Sequence, residues 1–212
     1  KEAPQISAKS AVIIDAKTGI SLFEKDPNLK HLPASTTKMM TALVSLETCT
    51  PQDVITVDFV EKEGALMGLE VGDKITVESL LNGLLISSGN DAAFALARNC
   101  SSTFDSFIAQ MNTKSKELDM TNTHFVNPAG FDSPYQYSTA MDLAKLAKVM
   151  TANPILSKIV ATKSTVVTDV TGNRTYYLEN VNKLLGLVDG IEGVKTGQTD
   201  GALEILISKT TR

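Results

Sequence analysis

Segments patterned as β-strands lie at both ends of this chain, and the long stretch between them is patterned as helices. No other feature constrains the fold as much. Strands that leave backbone groups unpaired locally must find partners in space, however far apart they lie in sequence. Near the start, Ala11-Val12-Ile13-Ile14 is a short apolar run, as expected of a strand buried on both faces. Asp15-Ala16-Lys17-Thr18-Gly19 carries turn chemistry and residues 20–23 resume a strand pattern, so the two form an antiparallel hairpin. Toward the other end, residues 163–171 are rich in Thr and Val, Gly172-Asn173 signals a two-residue turn, and Tyr176-Tyr177-Leu178 completes a second hairpin. Residues 191–196 and 203–207 are two further strand candidates, separated by a turn rich in Gly, Thr and Asp.

The middle reads as five helices. Residues 35–46 contain Met39, Met40, Leu43, Val44 and Leu46, apolar on several faces, which predicts a central helix. Residues 77–85 follow Thr76 as a cap, with Glu78 in the first turn. Residues 91–98 make a third helix. Phe104, Phe107, Ile108, Met111, Ser115 and Leu118 share one face of a fourth. Ala140, Leu143, Ala144, Ala147 and Met150 share one face of a fifth, with Thr139 and Asp142 spaced as a capping box. The simplest packing brings the terminal strands into one antiparallel sheet with the helices against it, an α/β (α+β) architecture. There is no repeat and no clean linker, so residues 1–212 read as one domain of two interleaved lobes. The sheet lobe covers about 1–34 and 155–212, and the helical lobe about 35–154.

Composition narrows the function. With 42% hydrophobic and 21% charged residues the chain is globular, and a net charge of −4 argues against a nucleic-acid partner. No apolar run approaches the roughly 20 residues of a membrane-spanning helix, so a membrane anchor, if any, lies outside this chain. Lys1-Glu2-Ala3-Pro4 is too polar and short for a signal peptide, and an exported protein would be represented here by its mature form. Cys49 and Cys100 each follow a predicted helix and lack metal-ligand spacing; a disulfide and two unrelated thiols both fit. His31 and His124 also lack partners at metal spacing, the methionines suit core filling, and Asp91 reads most simply as a helix cap.

Three short motifs carry chemistry. In Ser35-Thr36-Thr37-Lys38, serine and lysine stand three apart on one helical face, behind the boundary set by Pro33. A serine hydroxyl attacks acyl groups only when a neighbouring base takes its proton, and a lysine can serve only with a depressed pKa. Burial and a second cation are the two physical routes to that depression, and Lys195 is the candidate cation. Ser88-Gly89-Asn90 offers a hydroxyl to relay a proton to the leaving amine. Asn90 adds an amide to hold the substrate backbone and steady Lys38. Lys195-Thr196-Gly197 ends a strand and enters a turn; the charge and hydroxyl suit a substrate carboxylate, and Gly197 lets an extended peptide approach the strand edge. Each motif alone has a bland explanation, as cap, connector or solvated turn, but their order matches a known acyl-transfer signature.

These motifs resemble those of the low-molecular-mass penicillin-binding proteins that are serine-type D-alanyl-D-alanine carboxypeptidases. The likeness extends to Ile14-Asp15-Ala16-Lys17-Thr18-Gly19, Pro33 to Thr41, residues 84–93 (LLISSGNDAA), His124-Phe125-Val126-Asn127-Pro128, Tyr137-Ser138-Thr139-Ala140 and Gly193 to Thr199. It implies a β-lactamase/transpeptidase-like fold and an exported bacterial enzyme at the outer face of the cytoplasmic membrane. The implied enzyme removes D-alanine from peptidoglycan stem pentapeptides ending in D-Ala-D-Ala and is acylated by β-lactam antibiotics. By the same resemblance Ser35 forms the acyl-enzyme with Lys38 as base, and Ser88, Asn90 and Lys195 complete the catalytic set. Thr196, Gly197, Gln198 and Thr199 bind substrate, the N–H groups of Ser35 and Gln198 form an oxyanion hole, and no metal or other cofactor is needed. The family's sheet continues with a further strand and a C-terminal helix, whereas this chain stops at Arg212.

Three rivals remain at this level. A class A β-lactamase needs a loop glutamate to activate the deacylating water, and residues 122–130 contain none. A penicillin sensor would bind without turnover. A transpeptidase or endopeptidase would use the same acyl-enzyme with a different acceptor or substrate bond.

Overall fold

The computed structural model describes residues 5–211, so what was expected of Lys1-Glu2-Ala3-Pro4 and of Arg212 lies outside the described residues. Strands β1 (Ala11–Ile14) and β2 (Ser21–Lys25) form the expected N-terminal hairpin, closed by Asp15, whose carboxylate accepts the N–H of Lys17 and Thr18. The chain next enters a 3-10 turn, Ala34–Thr37, that continues into α1 (Lys38–Thr48). Helix α1 is buried along most of its circumference, through Met39, Met40, Ala42 and Val44, and packs against α2 (Val77–Leu85), α3 (Asn90–Asn99), α4 (Phe104–Glu117) and α5 (Ala140–Ala152). Its apolarity on several faces thus makes it the hub, as its sequence predicts, while Lys38, Thr41 and Ser45 form a buried polar stripe.

Cap chemistry sets the helix starts. Thr76 Oγ1 accepts the Ser79 N–H, and Thr139 Oγ1 accepts the Asp142 N–H. The reciprocal half of the expected box at α5 is absent. The Asp142 carboxylate instead accepts from Asn122 N–H and the Thr123 hydroxyl, fastening the preceding loop. A short helix, α6 (Pro154–Val160), escaped the sequence reading although Asn153 caps it and proline occupies its first turn. Strands β3 (Val54–Thr56) and β4 (Lys74–Thr76) were also not foreseen, since three residues are too few to show a period.

Strands β5 (Ser164–Thr168) and β6 (Thr175–Glu179) form the second hairpin, but not through a two-residue turn. Asp169 N–H donates to Arg174 O and the Asp169 carboxylate accepts the Arg174 N–H, which closes a four-residue turn over 170–173. Strands β7 (Ile191–Thr199) and β8 (Leu203–Thr210) form the longest ladder, with Gly197 opposite Ile205. Lys195-Thr196-Gly197 therefore lies inside a strand rather than at its end.

Two expectations about the sheet need correction. The terminal hairpins β1–β2 and β7–β8 both pack on α5, yet no ladder joins them; among the described residues each is a separate two-stranded sheet. Residue pattern predicts which segments are strands but not which edges pair, because backbone groups on both edges are alike. Nor is β1 buried on both faces, since Ile13 is 52% exposed.

Cys49 and Cys100 are joined in a disulfide with Cα atoms 5.6 Å apart, tying the ends of α1 and α3 together. The bridge closes a loop of 51 residues, a separation for which chain entropy predicts about 4 kcal/mol of stabilisation.

Candidate active site

The 3-10 turn is the reason Ser35 and Lys38 meet. Three residues per turn put i and i+3 directly above one another, and Lys38 Nζ donates to Ser35 Oγ at 2.9 Å. Lys38 also donates to Ala129 O at 2.7 Å, and its side chain is wholly inaccessible to solvent. Burial disfavours the charged amine and holds its pKa well below the ordinary lysine value. Lys195 nearby pushes in the same direction and Asp91 opposes them. Both routes anticipated from sequence are therefore present, with desolvation the larger.

Lys195 reaches the same place from β7. Its Nζ donates to Ser88 Oγ and to Thr196 O, both at 2.9 Å, and burial lowers its pKa to about 7. Ser88 stands at φ +62° and Ala34 at φ +46°. Such left-handed conformations in non-glycine residues cost roughly 1–3 kcal/mol each and cluster where geometry is functional. Here they set Ser88 under Lys195 and turn the chain into Ser35.

Gly197 explains how strand and turn approach so closely. A Cβ there would meet Ala34 Cβ and Ser35 N at 3.2 Å. The Gly197 backbone thus lies against the Ser35 amide, with Gln198 next along the strand and exposed. Thr196 is half-buried at the same rim. The Thr199 hydroxyl donates to Asp132 and accepts from Ala202 N–H, so that side chain is committed to the β7–β8 turn. Asn90 does not contact Lys38 through a hydrogen bond; its Nδ2 donates to Glu63 O at 2.7 Å.

One part of the site was missed from sequence. Asn127 Oδ1 accepts the N–H groups of Ala129, Gly130 and Phe131, folding residues 127–131 into a tight loop that presents Ala129 O to Lys38 and Pro128 O to the Thr41 hydroxyl. Asn127-Pro128 carries turn chemistry, but nothing local indicates that a lysine far away in the chain would use the loop's carbonyl. The buried cluster can thus supply a hydroxyl joined to an amine of low proton affinity, a second hydroxyl joined to a second amine, and a strand edge open to an extended chain.

The match to known proteins is consistent across the chain. The model of the D-alanyl-D-alanine carboxypeptidase family, peptidase S11, matches residues 1–212. The D-alanyl-D-alanine carboxypeptidase DacF of Bacillus subtilis is 38% identical over 202 residues, covering 92% of this chain and 52% of that protein. The chain thus spans about half the length of that relative. The DD-transpeptidase of Streptomyces K15 superposes with a TM-score of 0.90 at 33% identity, over 100% of this chain and 88% of that one. A putative penicillin-binding protein homologue from Mycobacterium tuberculosis gives a TM-score of 0.93 at 33% identity, over 100% and 81%.

Proposed function

The chain belongs to the D-alanyl-D-alanine carboxypeptidase family and has the fold of the penicillin-binding DD-peptidases, and from that premise we propose that it cleaves the terminal D-alanine from peptidoglycan stem pentapeptides through an acyl-enzyme on Ser35. The observation that carries this reading is the 2.9 Å contact between Ser35 Oγ and a fully buried lysine. Neutral Lys38 takes the Ser35 proton as Oγ attacks the penultimate D-alanyl carbonyl. The N–H groups of Ser35 and Gln198 receive the oxyanion. The peptide C–N bond then breaks, and the leaving amine gains a proton from Ser88, which is resupplied from Lys195. Lys38 passes the proton it took from Ser35 to the neutral Lys195. Neutral again, it accepts a proton from the water that attacks the ester and returns it to Ser35 Oγ as the acyl bond breaks. Thr196 and Gly197 line the strand edge on which the peptide lies, and penicillins acylate the same serine. The site of action is the bacterial cell wall, outside the cytoplasmic membrane. In keeping with this, the chain carries the Cys49–Cys100 disulfide.

This mechanism needs Lys38 neutral and Lys195 protonated. The second-order rate of penicillin acylation is expected to rise on the acid side as Lys38 loses its proton and to fall above about pH 7 as Lys195 does. Lys195→Arg keeps its charge at all working pH and should lack the alkaline limb. A wild-type rate that stays flat well above neutrality would contradict the role given to Lys195.

The β-lactamase reading finds little support. The loop over Ser35 carries Asn127, and the nearby acid Asp132 is occupied with Thr199 and Gly201. Hydrolysis of nitrocefin is therefore expected to stop after about one equivalent, while D-alanine is released catalytically from a diacyl-Lys-D-Ala-D-Ala peptide. Rapid multiple turnover of nitrocefin would favour the β-lactamase, and labelling without D-alanine release would favour a sensor.

A further inference from the structure

Asp91 is the third charged group of this cluster, and its carboxylate contacts neither Ser35 nor either lysine. The side chain is completely buried, and it is not a simple cap. Its two oxygens accept four backbone N–H groups: Met67 and Ala92 on Oδ1, at 2.9 Å each, and Gly68 and Leu69 on Oδ2, at 2.8 and 3.0 Å. Three of those donors belong to the loop between β3 and β4. The same loop lies on the neighbouring residue, since Asn90 N–H donates to Ala65 O and Asn90 Nδ2 to Glu63 O, both at 2.7 Å. From outside, Arg174 Nη2 donates to Gly68 O at 2.9 Å.

We propose that Asp91 is a positioning residue: its buried carboxylate pins Met67, Gly68 and Leu69 so that the loop fixes the Asn90 amide, and it supplies the negative charge that faces Lys38. The hydrogen bonds give the carboxylate the first task, and its charge, buried like Lys38 and without an ion-pair partner among the described residues, gives it the second. Four N–H donors, three from the β3–β4 loop and one from the first turn of α3, surround the carboxylate with no cation in contact, so its charge acts on the buried amines rather than being cancelled locally. Lys38 is faced by Lys195 from β7 and by Asp91 from α3, with opposite effects. Asp91 thereby limits how far Lys38 is depressed, and so sets the pH at which Ser35 loses its proton. The proposal rests on the acyl-enzyme reading of Ser35 and Lys38.

The test is the pH profile of penicillin acylation for wild type and Asp91→Asn. Removing the charge should move the acid limb to lower pH by about one unit, and loosening Asn90 should lower the plateau on the order of tenfold. A limb that stays in place, with or without a lower plateau, overturns the proposal. Arg174→Gln provides a second variant that loosens the loop from outside and leaves the charge intact. It should lower the plateau with the acid limb unmoved, and a moved limb or an unchanged plateau overturns the link from loop to Asn90. If wild type takes no penicillin at all, the acyl-enzyme reading fails. Amide exchange at Met67, Gly68 and Leu69 then decides the anchor alone: exchange as slow as in α1 supports it, and exchange as fast as in exposed loops overturns it.

Discussion

Lys38→Met is expected to lower penicillin acylation and D-alanine release by at least about a hundredfold while making the protein more stable. Removing the base leaves Ser35 as an unactivated hydroxyl, and general-base assistance of this kind contributes roughly 10²–10⁴-fold. The stability gain follows from burial. Lys38 is inaccessible to water and its pKa lies well below that of an unfolded lysine. The unfolded chain therefore binds more protons than the native one between the depressed value and 10.5. Stability rises with pH across that window, and below it the protein carries the full penalty of the buried amine. Methionine fills similar volume without that penalty. After allowing for the donor lost to Ala129 O, a gain of about 1–3 kcal/mol near neutrality is expected. Denaturant melts at neutral and alkaline pH check this: the advantage of the variant should shrink as pH approaches 10.5. A destabilised variant at pH 7 would contradict the account of the buried amine.

Gly130→Ala tests the other support of the site. Gly130 has φ +97°, and a Cβ there would lie 1.8 Å from Ala34 O and 2.9 Å from Ser35 N. These are backbone atoms that cannot swing aside as a side-chain tip does. Either the 127–131 loop withdraws, taking Ala129 O from Lys38, or the turn bearing Ser35 moves. A loss of about 3–5 kcal/mol is expected, at the upper end for a single substitution. Acylation should fall at least about a hundredfold, because displacement of a reacting group by an ångström costs that much. Chemical denaturation together with the acylation rate reads both effects. Near-wild-type values for either would show that the loop and the turn are less closely fitted than these distances imply.

Much of this architecture is legible in the residues because its determinants are local. Thr76 and Thr139 announce their helices, and α1 is central because Met39, Met40, Leu43, Val44 and Leu46 make it apolar on several faces. Spacing puts Ser35 and Lys38 on one face, the order of the three motifs marks them as a reacting pair, and chemistry names Lys195 as the second cation. What stayed hidden depends on contacts distant in sequence. The carbonyl that Lys38 uses belongs to Ala129, residue type is irrelevant to a carbonyl, and so no pattern marks it. Asp91 looks like a cap because capping is the commonest local use of Asp at a helix start, whereas three of its four partners lie more than twenty residues back in the chain. The pairing of strand edges stays hidden for the same reason, since alternation fixes faces but not neighbours.

The central claim is that Ser35, activated by Lys38, is the residue acylated. Intact-mass spectrometry after incubation with benzylpenicillin, followed by peptide mapping and repeated on Ser35→Ala, tests it most directly. The account predicts one penicilloyl group on wild type, located on the peptide containing Ser35, and none on the variant. An adduct that persists on Ser35→Ala, or that maps to Ser88, would contradict it.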